Sequence, residues 1–165
     1  MRSVPSGEID LLPVHFRQLR AVARLQQRAF SRRLAYRYST LVYLWFHPRT
    51  TFLIARAGND VIGCAIGDQS GRQSRVINLC VDPDVRRSGI GTSLLRRLEQ
   101  SLPAGDIVLM AEVENHAARS LYKKEGYVEL GVVRNYYGRG KDGVWMQKAR
   151  AFVGAESSGH PVRDF

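Results

Sequence analysis

Two cysteines in 165 residues, Cys64 and Cys80, are too few for a disulfide scaffold. Both sit in apolar, strand-like runs, where a buried structural thiol is the expected state. The four histidines (His15, His47, His116 and His160) are scattered without metal-ligand spacing, so no metal centre is expected. No apolar run approaches the roughly 18 residues that span a bilayer, and Leu41–Phe46 is only a short apolar stretch. Met1 to Gly7 lacks the apolar core of a secretion signal, which leads to the expectation of a soluble, cytoplasmic protein with no membrane partner. Acidic residues are also missing where they matter. Between Arg17 and Arg37 there are seven arginines and no aspartate or glutamate. On a helical wheel Arg17, Arg20, Arg24 and Arg28 lie together, opposite Leu19, Val22, Ala23 and Phe30. That stripe reads as the solvated face of an amphipathic helix, with a docking surface as the alternative.

What is present is more telling. The run Val81-Asp82-Pro83-Asp84-Val85-Arg86-Arg87-Ser88-Gly89-Ile90-Gly91-Thr92 follows a strand-like segment. It opens a helical pattern with apolar residues at Ile90, Leu94, Leu95, Leu98 and Leu102. Two glycines at the mouth of a helix let main-chain N–H groups close on an anion. The helix dipole, with Arg86 and Arg87, adds positive potential. A Walker loop is excluded because Gly91 is followed by Thr92 and Ser93 with no lysine. The dinucleotide fingerprint fails because Leu94 stands where its third glycine belongs. The order Arg86-x-x-Gly89-x-Gly91 instead resembles the acyl-CoA-binding motif of the GNAT acetyltransferase superfamily.

A second segment resembles the same superfamily: Asn115-x-x-Ala118-x-x-Leu121-Tyr122-x-x-x-Gly126-Tyr127. Its local chemistry is coherent, with Asn115 as helix N-cap and Gly126 as left-handed stop. A third segment is Val133-Arg134-Asn135-Tyr136-Tyr137 with Lys141-Asp142-Gly143-Val144-Trp145-Met146. It is similar to the C-terminal strands of the protein N-terminal acetyltransferases, notably the bacterial group acting on the N-terminal alanine of a small-subunit ribosomal protein.

The resemblance implies a GNAT fold of the α/β class: a mixed, mostly antiparallel sheet with flanking helices and a splayed central strand pair that admits acetyl-CoA as cosubstrate. It implies that Leu79, Cys80 and Val81 hold the pantetheine and acetyl carbonyl through the backbone, with Val81 N–H as oxyanion donor. Arg86, Arg87, Ser88, Gly89, Ile90, Gly91 and Thr92 would cradle the pyrophosphate, and Asn115 would contact the pantetheine arm. Tyr122 falls at the position of the general acid that protonates the departing thiolate. The relatives' glutamate base aligns with Met110, and Glu112, two residues later, reaches the same strand face across a gap. Glu112 is the leading base, with Glu114 and His116 as alternatives. Asn135, Tyr136 and Tyr137 would recognise the acceptor. The resemblance thus implies transfer of an acetyl group to a primary amine, with a protein or peptide N-terminus, ribosomal proteins among them, as the favoured acceptor. A small-molecule amine, a lysine side chain or a non-catalytic CoA-binding role are the alternatives. The chain is expected as a monomer or homodimer, and a net charge of +10 leaves direct RNA contact open though not favoured.

One domain is expected over residues 9–148, after a flexible lead-in at 1–8 and before a mobile tail at 149–165. Hydrophobic periodicity predicts a helical region from about Val14 to Ala35, in one piece or two, then an aromatic-rich segment to Pro48. Strands are expected at 51–57, 61–67, 75–81, 107–113, 127–133 and 144–148, and helices at 89–101 and 116–125. Asp68–Ser74 reads as a loop.

Overall fold

The structure is a computed structural model that describes residues 9–71 and 73–150; the expected lead-in and residues 151–165 of the expected tail lie outside that range. Seven strands form one sheet in the order β1-β2-β3-β4-β5-β7-β6. They are β1 (Ile9–Pro13), β2 (Thr50–Ala57), β3 (Asp60–Ser70), β4 (Gln73–Val81), β5 (Ile107–Glu112), β6 (Val128–Val133) and β7 (Gly143–Lys148). All neighbours pair antiparallel except β4 and β5. Strand alternation sends two sets of side chains to opposite faces. Phe52, Ile54, Cys64, Ile66 and Cys80 meet α1 (Leu19–Ala29) and α2 (Tyr38–Phe46). Leu53, Ala55, Ala65, Leu109, Val144 and Met146 meet α3 (Ile90–Ser101) and α4 (His116–Lys124).

The α3 stripe holds as the sequence spacing requires: Ile90, Leu94, Leu95 and Leu98 are all buried. Leu98 is fully enclosed, so Leu98→Ala is expected to cost about 2–5 kcal/mol in urea-unfolding stability. Arg150, two residues past the expected domain end, is fastened to the carbonyls of Glu99, Pro103 and Gly105.

Three expectations change. The helical region does not reach Ala35. The helix α1 stops at Ala29, and Phe30 is extended (φ −124°, ψ 159°). The cause is tertiary: Arg86 donates to the Ala29 carbonyl (3.0 Å), while Arg28 pairs with Asp82 (2.7 Å) and Asp84 (2.9 Å). Second, the aromatic-rich segment is a helix, α2, although aromatic and β-branched residues form helices weakly. It is tethered by the fully buried Leu41 and by Trp45, whose indole N–H donates to the Val14 carbonyl (3.2 Å). Third, β3 and β4 continue through most of Asp68–Ser74, closed by a cross-strand Asp68–Arg75 ion pair and a turn at Gly71 (φ 62°). The edge strand β1 carried no separate signal in the sequence.

Candidate active site

The site begins where two strands part. The strands β4 and β5 pair only at Ser74–Val76 with Ile107–Leu109. From there β4 stays with β3 as far as Val81, and β5 stays with β7 as far as Glu112. A bulge drives the separation. Gly67 faces Val76 and Ile66 faces Asn78, so Ile77 is the extra residue, and a bulge bends its strand. The freed Ile77 carbonyl accepts the Tyr36 hydroxyl (3.1 Å). Beneath the bulge, Asn78 is buried and exchanges hydrogen bonds with the Gln26 side chain (2.7 and 3.2 Å), locking β4 to α1.

A cavity of about 690 Å³ fills the opening. Leu79, Met110, Glu112, Asn115 and Tyr122 line it, while Tyr36 with Tyr136 and Tyr137 form an outer wall. The β4 backbone is oriented for it. Asp82 N–H donates to the Ile62 carbonyl (2.8 Å) across β3. Antiparallel alternation therefore turns the backbone groups of Leu79 and Val81 away from β3, into the gap. An extended chain laid there would meet an unpaired strand edge.

Past Val81 the loop reaches α3 through two left-handed residues, Arg87 (φ 63°) and Gly89 (φ 85°). Gly89 is the N-cap, and the first helical bond is Ser93 N–H to the Gly89 carbonyl (3.0 Å). The N–H groups of Ile90, Gly91 and Thr92 precede that bond and meet no acceptor among the described residues. Such free donors at a helix start suit a diphosphate. The Arg86 side chain is engaged away from this cradle. Its guanidinium spans the Val81 (3.2 Å) and Ala29 (3.0 Å) carbonyls, so it clamps the loop to α1. Ser88 donates to the Val85 carbonyl (2.6 Å) and likewise shapes the loop. Cys80 turns its side chain to the α1 face, with its sulfur 3.4 Å from Cys64, and by the same alternation its backbone groups face β3, so unlike Leu79 and Val81 it does not reach the gap.

The helix α4 brings up the remaining groups. The Asn115 side-chain oxygen caps it by accepting Ala118 N–H (3.1 Å), leaving the amide nitrogen as a donor at the cavity. Tyr122 is buried on the α3/α4 face and packs edge-on against Tyr127 (5.6 Å between centroids). Burial pushes its phenol well above the usual tyrosine range, so the group stays protonated at physiological pH. Its hydroxyl has no partner among the described residues. Glu112 sits at the end of β5 on the opposite side, since Ile107, Leu109 and Ala111 take the α3/α4 face. Among the described residues its ionic neighbour is Lys141 (3.4 Å). Glu114 and His116 are exposed and do not line the cavity.

The β6–β7 connection is pinned over the opening. Tyr137 donates to the Met110 carbonyl (2.7 Å), and burial raises its phenol. Tyr136 stacks edge-on against it (4.9 Å) and is 53% exposed, the most accessible aromatic of the wall. Asn135 does not line the cavity. In a left-handed conformation (φ 55°), it accepts Gly140 N–H (2.6 Å) and holds the turn. Sequence reasoning missed Tyr36, Arg28, Asp82 and Gln26, because each acts through a partner distant in the chain.

An open strand edge, a helix-start anion cradle and a buried phenol at their junction define an acyl-CoA-dependent acyltransferase site. Residues 48–129 match the family model for the acetyltransferase (GNAT) domain. Over 138 residues the chain is 30% identical to an uncharacterized N-acetyltransferase of Methanocaldococcus jannaschii, covering 81% of this chain and 87% of that one. The chain belongs to the GNAT acetyltransferase family. It is 33% identical over 94 residues to the N-alpha-acetyltransferase RimI of Mycobacterium tuberculosis (54% of this chain, 60% of that protein). The crystal structure of the ribosomal-protein-S18-alanine N-acetyltransferase from Escherichia coli shares the fold with a TM-score of 0.80, over 93% of this chain and 99% of that one, at 23% identity. A coenzyme A complex of PaiA N-acetyltransferase from Thermoplasma acidophilum aligns with a TM-score of 0.75 at 18% identity, over 87% of this chain and 99% of that one. Enzymes of this family draw their acetyl group from acetyl-CoA, and the strand gap with its amide cradle fits that molecule. No described helix is long and apolar enough to cross a membrane.

Proposed function

We propose that this enzyme acetylates the N-terminal α-amine of a protein or peptide. The observation that carries the reading is the outer wall of the cavity. The α1–α2 connection, with Tyr36, and the β6–β7 connection, with Tyr136 and Tyr137, face each other across the strand gap. Paired tyrosines offer apolar faces and hydroxyls suited to an extended backbone. Similarity to N-alpha-acetyltransferases supports the same acceptor.

In this reading the acceptor enters from the α1/α2 side and the thioester lies along β4. The acceptor ammonium first loses one proton to solvent, and Glu112, directly or through one water, takes the second from the nitrogen as it attacks. The amine nitrogen bonds to the acetyl carbon, and Val81 N–H receives the charge building on the carbonyl oxygen. As the C–S bond breaks, Tyr122 delivers its proton to sulfur from the α4 side. Acid and base thus approach from opposite sheet faces, which keeps their protons separate.

The test is thiol release from acetyl-CoA with a panel of Ala-, Ser- and Met-initiated peptides, small amines and lysine-containing peptides blocked at the N-terminus. Turnover confined to free peptide N-termini is expected; turnover only on small amines or blocked lysine peptides overturns the acceptor assignment. For the base, Glu112→Gln is expected to lower kcat/KM by about tenfold or more, whereas Glu114→Gln and His116→Asn leave it near wild type. Equal activity in Glu112→Gln would move the role elsewhere.

A further inference from the structure

The positive charge of this protein is concentrated in one layer. Between Asp10 and Asp60 there are nine arginines and no aspartate, glutamate or lysine, so this segment supplies nine of the ten net positive charges of the chain. In the fold it forms most of β1, then α1, α2 and β2 with their connections, and both helices lie on one face of the sheet.

Some of these arginines are committed. Arg28 is held by Asp82 and Asp84, and Arg56 by Asp10 (2.9 Å). The Arg33 guanidinium rests against Gly138. Arg17, Arg20, Arg24, Arg32, Arg37 and Arg49 are exposed and form no ion pair among the described residues. Arg20 and Arg24 follow one another along α1 at steps of about 6 Å. Arg24 borders a recess of about 310 Å³ that it shares with Arg28, Asp60, Asp82 and Asp84. The last two acids are spoken for by Arg28, which leaves Asp60 as the single uncompensated carboxylate at that end.

The structure adds what the sequence pattern lacked. Next to the arginines lies an ordered, exposed aromatic platform. Phe16 (46% exposed) packs against Trp45 (5.3 Å), which meets Phe46 (69% exposed) edge-on at 4.8 Å. Tyr43 (65% exposed) continues the surface. The Trp45–Val14 hydrogen bond holds the cluster in place. Phe16 directly precedes Arg17 and lies one turn before Arg20, while the exposed Arg49 follows Phe46 by three residues.

We infer that the α1–α2 face binds a single-stranded polynucleotide, with the arginines on phosphates and Phe16, Phe46 and Tyr43 as stacking surfaces for bases. Three features favour this ligand over a bilayer or an acidic protein. Every cation of the segment is arginine, the residue suited to forked phosphate contacts and to stacking. The strongly exposed apolar residues of α2 are aromatic, while Val42 and Leu44 are half-buried, which favours stacking over insertion among acyl chains. Exposed arginines and exposed rings belong to the same helical layer and adjoin at Phe16–Arg17, a combination that pairs backbone neutralisation with base stacking. Of these unpaired arginines and rings Arg37 alone lines the active-site cavity, so binding by the others does not depend on the identity of the acceptor amine.

Fluorescence anisotropy of a labelled oligouridylate, titrated with the full chain at several salt concentrations, tests the inference. Binding is expected with a log–log salt slope of about −3 to −4, from some five phosphates neutralised. Two variants of equal charge separate a defined face from bulk attraction. Arg20→Glu with Arg24→Glu should weaken binding about tenfold or more, whereas Arg97→Glu with Lys124→Glu, on α3 and α4, should weaken it far less. Phe16→Ser with Phe46→Ser leaves the net charge unchanged and should also weaken binding about tenfold. All variants should keep wild-type acetyl-CoA affinity, which verifies that they are folded. Equal losses in both charge-reversed variants, or full affinity after loss of the two phenylalanines, would overturn the proposal. So would absence of binding, or saturable capture by phosphatidylserine vesicles that displaces the oligonucleotide.

Discussion

Replacing Tyr122 by phenylalanine is expected to lower kcat about 100-fold or more while the Michaelis constant for acetyl-CoA changes little. The ring that packs against Tyr127 and fills the α3/α4 core is retained, so the only loss is a hydroxyl facing the cavity. That hydroxyl satisfies no group among the described residues, so its removal leaves none of their buried donors or acceptors without a partner. Pre-steady-state thiol release against circular dichroism of the folded variant separates chemistry from stability. Because burial raises the phenol, the wild-type rate should show no alkaline fall from this residue anywhere in the physiological range. A Tyr122→Phe enzyme with undiminished kcat would remove the general-acid role and shift attention to a solvent proton.

The second large effect is expected at Gly89, and it falls on binding rather than on chemistry. Gly89→Val forces a β-branched side chain into a left-handed conformation at the N-cap of α3. Space does not limit it, because a Cβ at this position meets nothing within 4 Å. The backbone angle does. Relaxing φ from 85° would turn the Ile90, Gly91 and Thr92 N–H groups away from their common focus. Loss of one charge-assisted hydrogen bond, about 1.5–3 kcal/mol, corresponds to tenfold or more in affinity. Calorimetric titration with coenzyme A should therefore show at least about tenfold weaker binding, with an unchanged Michaelis constant for the acceptor peptide. A folded Gly89→Val variant with unaltered coenzyme affinity would place the diphosphate elsewhere.

These residues were legible in the sequence because their geometry is local. Gly89 and Gly91 announce a turn into a helix, Asn115 a cap, and Tyr122 a position seven residues after it. The splay between β4 and β5 was legible only through resemblance, since the bulge at Ile77 has no signature in an apolar strand. Long-range contacts were hidden entirely. Arg28 read as part of a solvated stripe, yet it holds Asp82 and Asp84, and that clamp ends α1 well before Ala35. The helix α2 was missed for a different reason: it is apolar nearly all round, so no periodicity separates it from a strand or loop. The loop expected at Asp68–Ser74 failed because both faces of that hairpin are polar, which erases alternation while leaving the backbone ladder intact.

The buried Cys64–Cys80 pair has a practical consequence. The chain has no other thiol; these two are at most 5% exposed, and the hydrogen bond shared with Cys64, together with burial, holds the Cys80 thiol well above its usual range. Maleimide dyes should therefore leave the wild-type chain unlabelled. A single cysteine introduced on the outer surface of α2 would then carry a fluorophore at one defined place, ready to report on whatever approaches that side of the molecule.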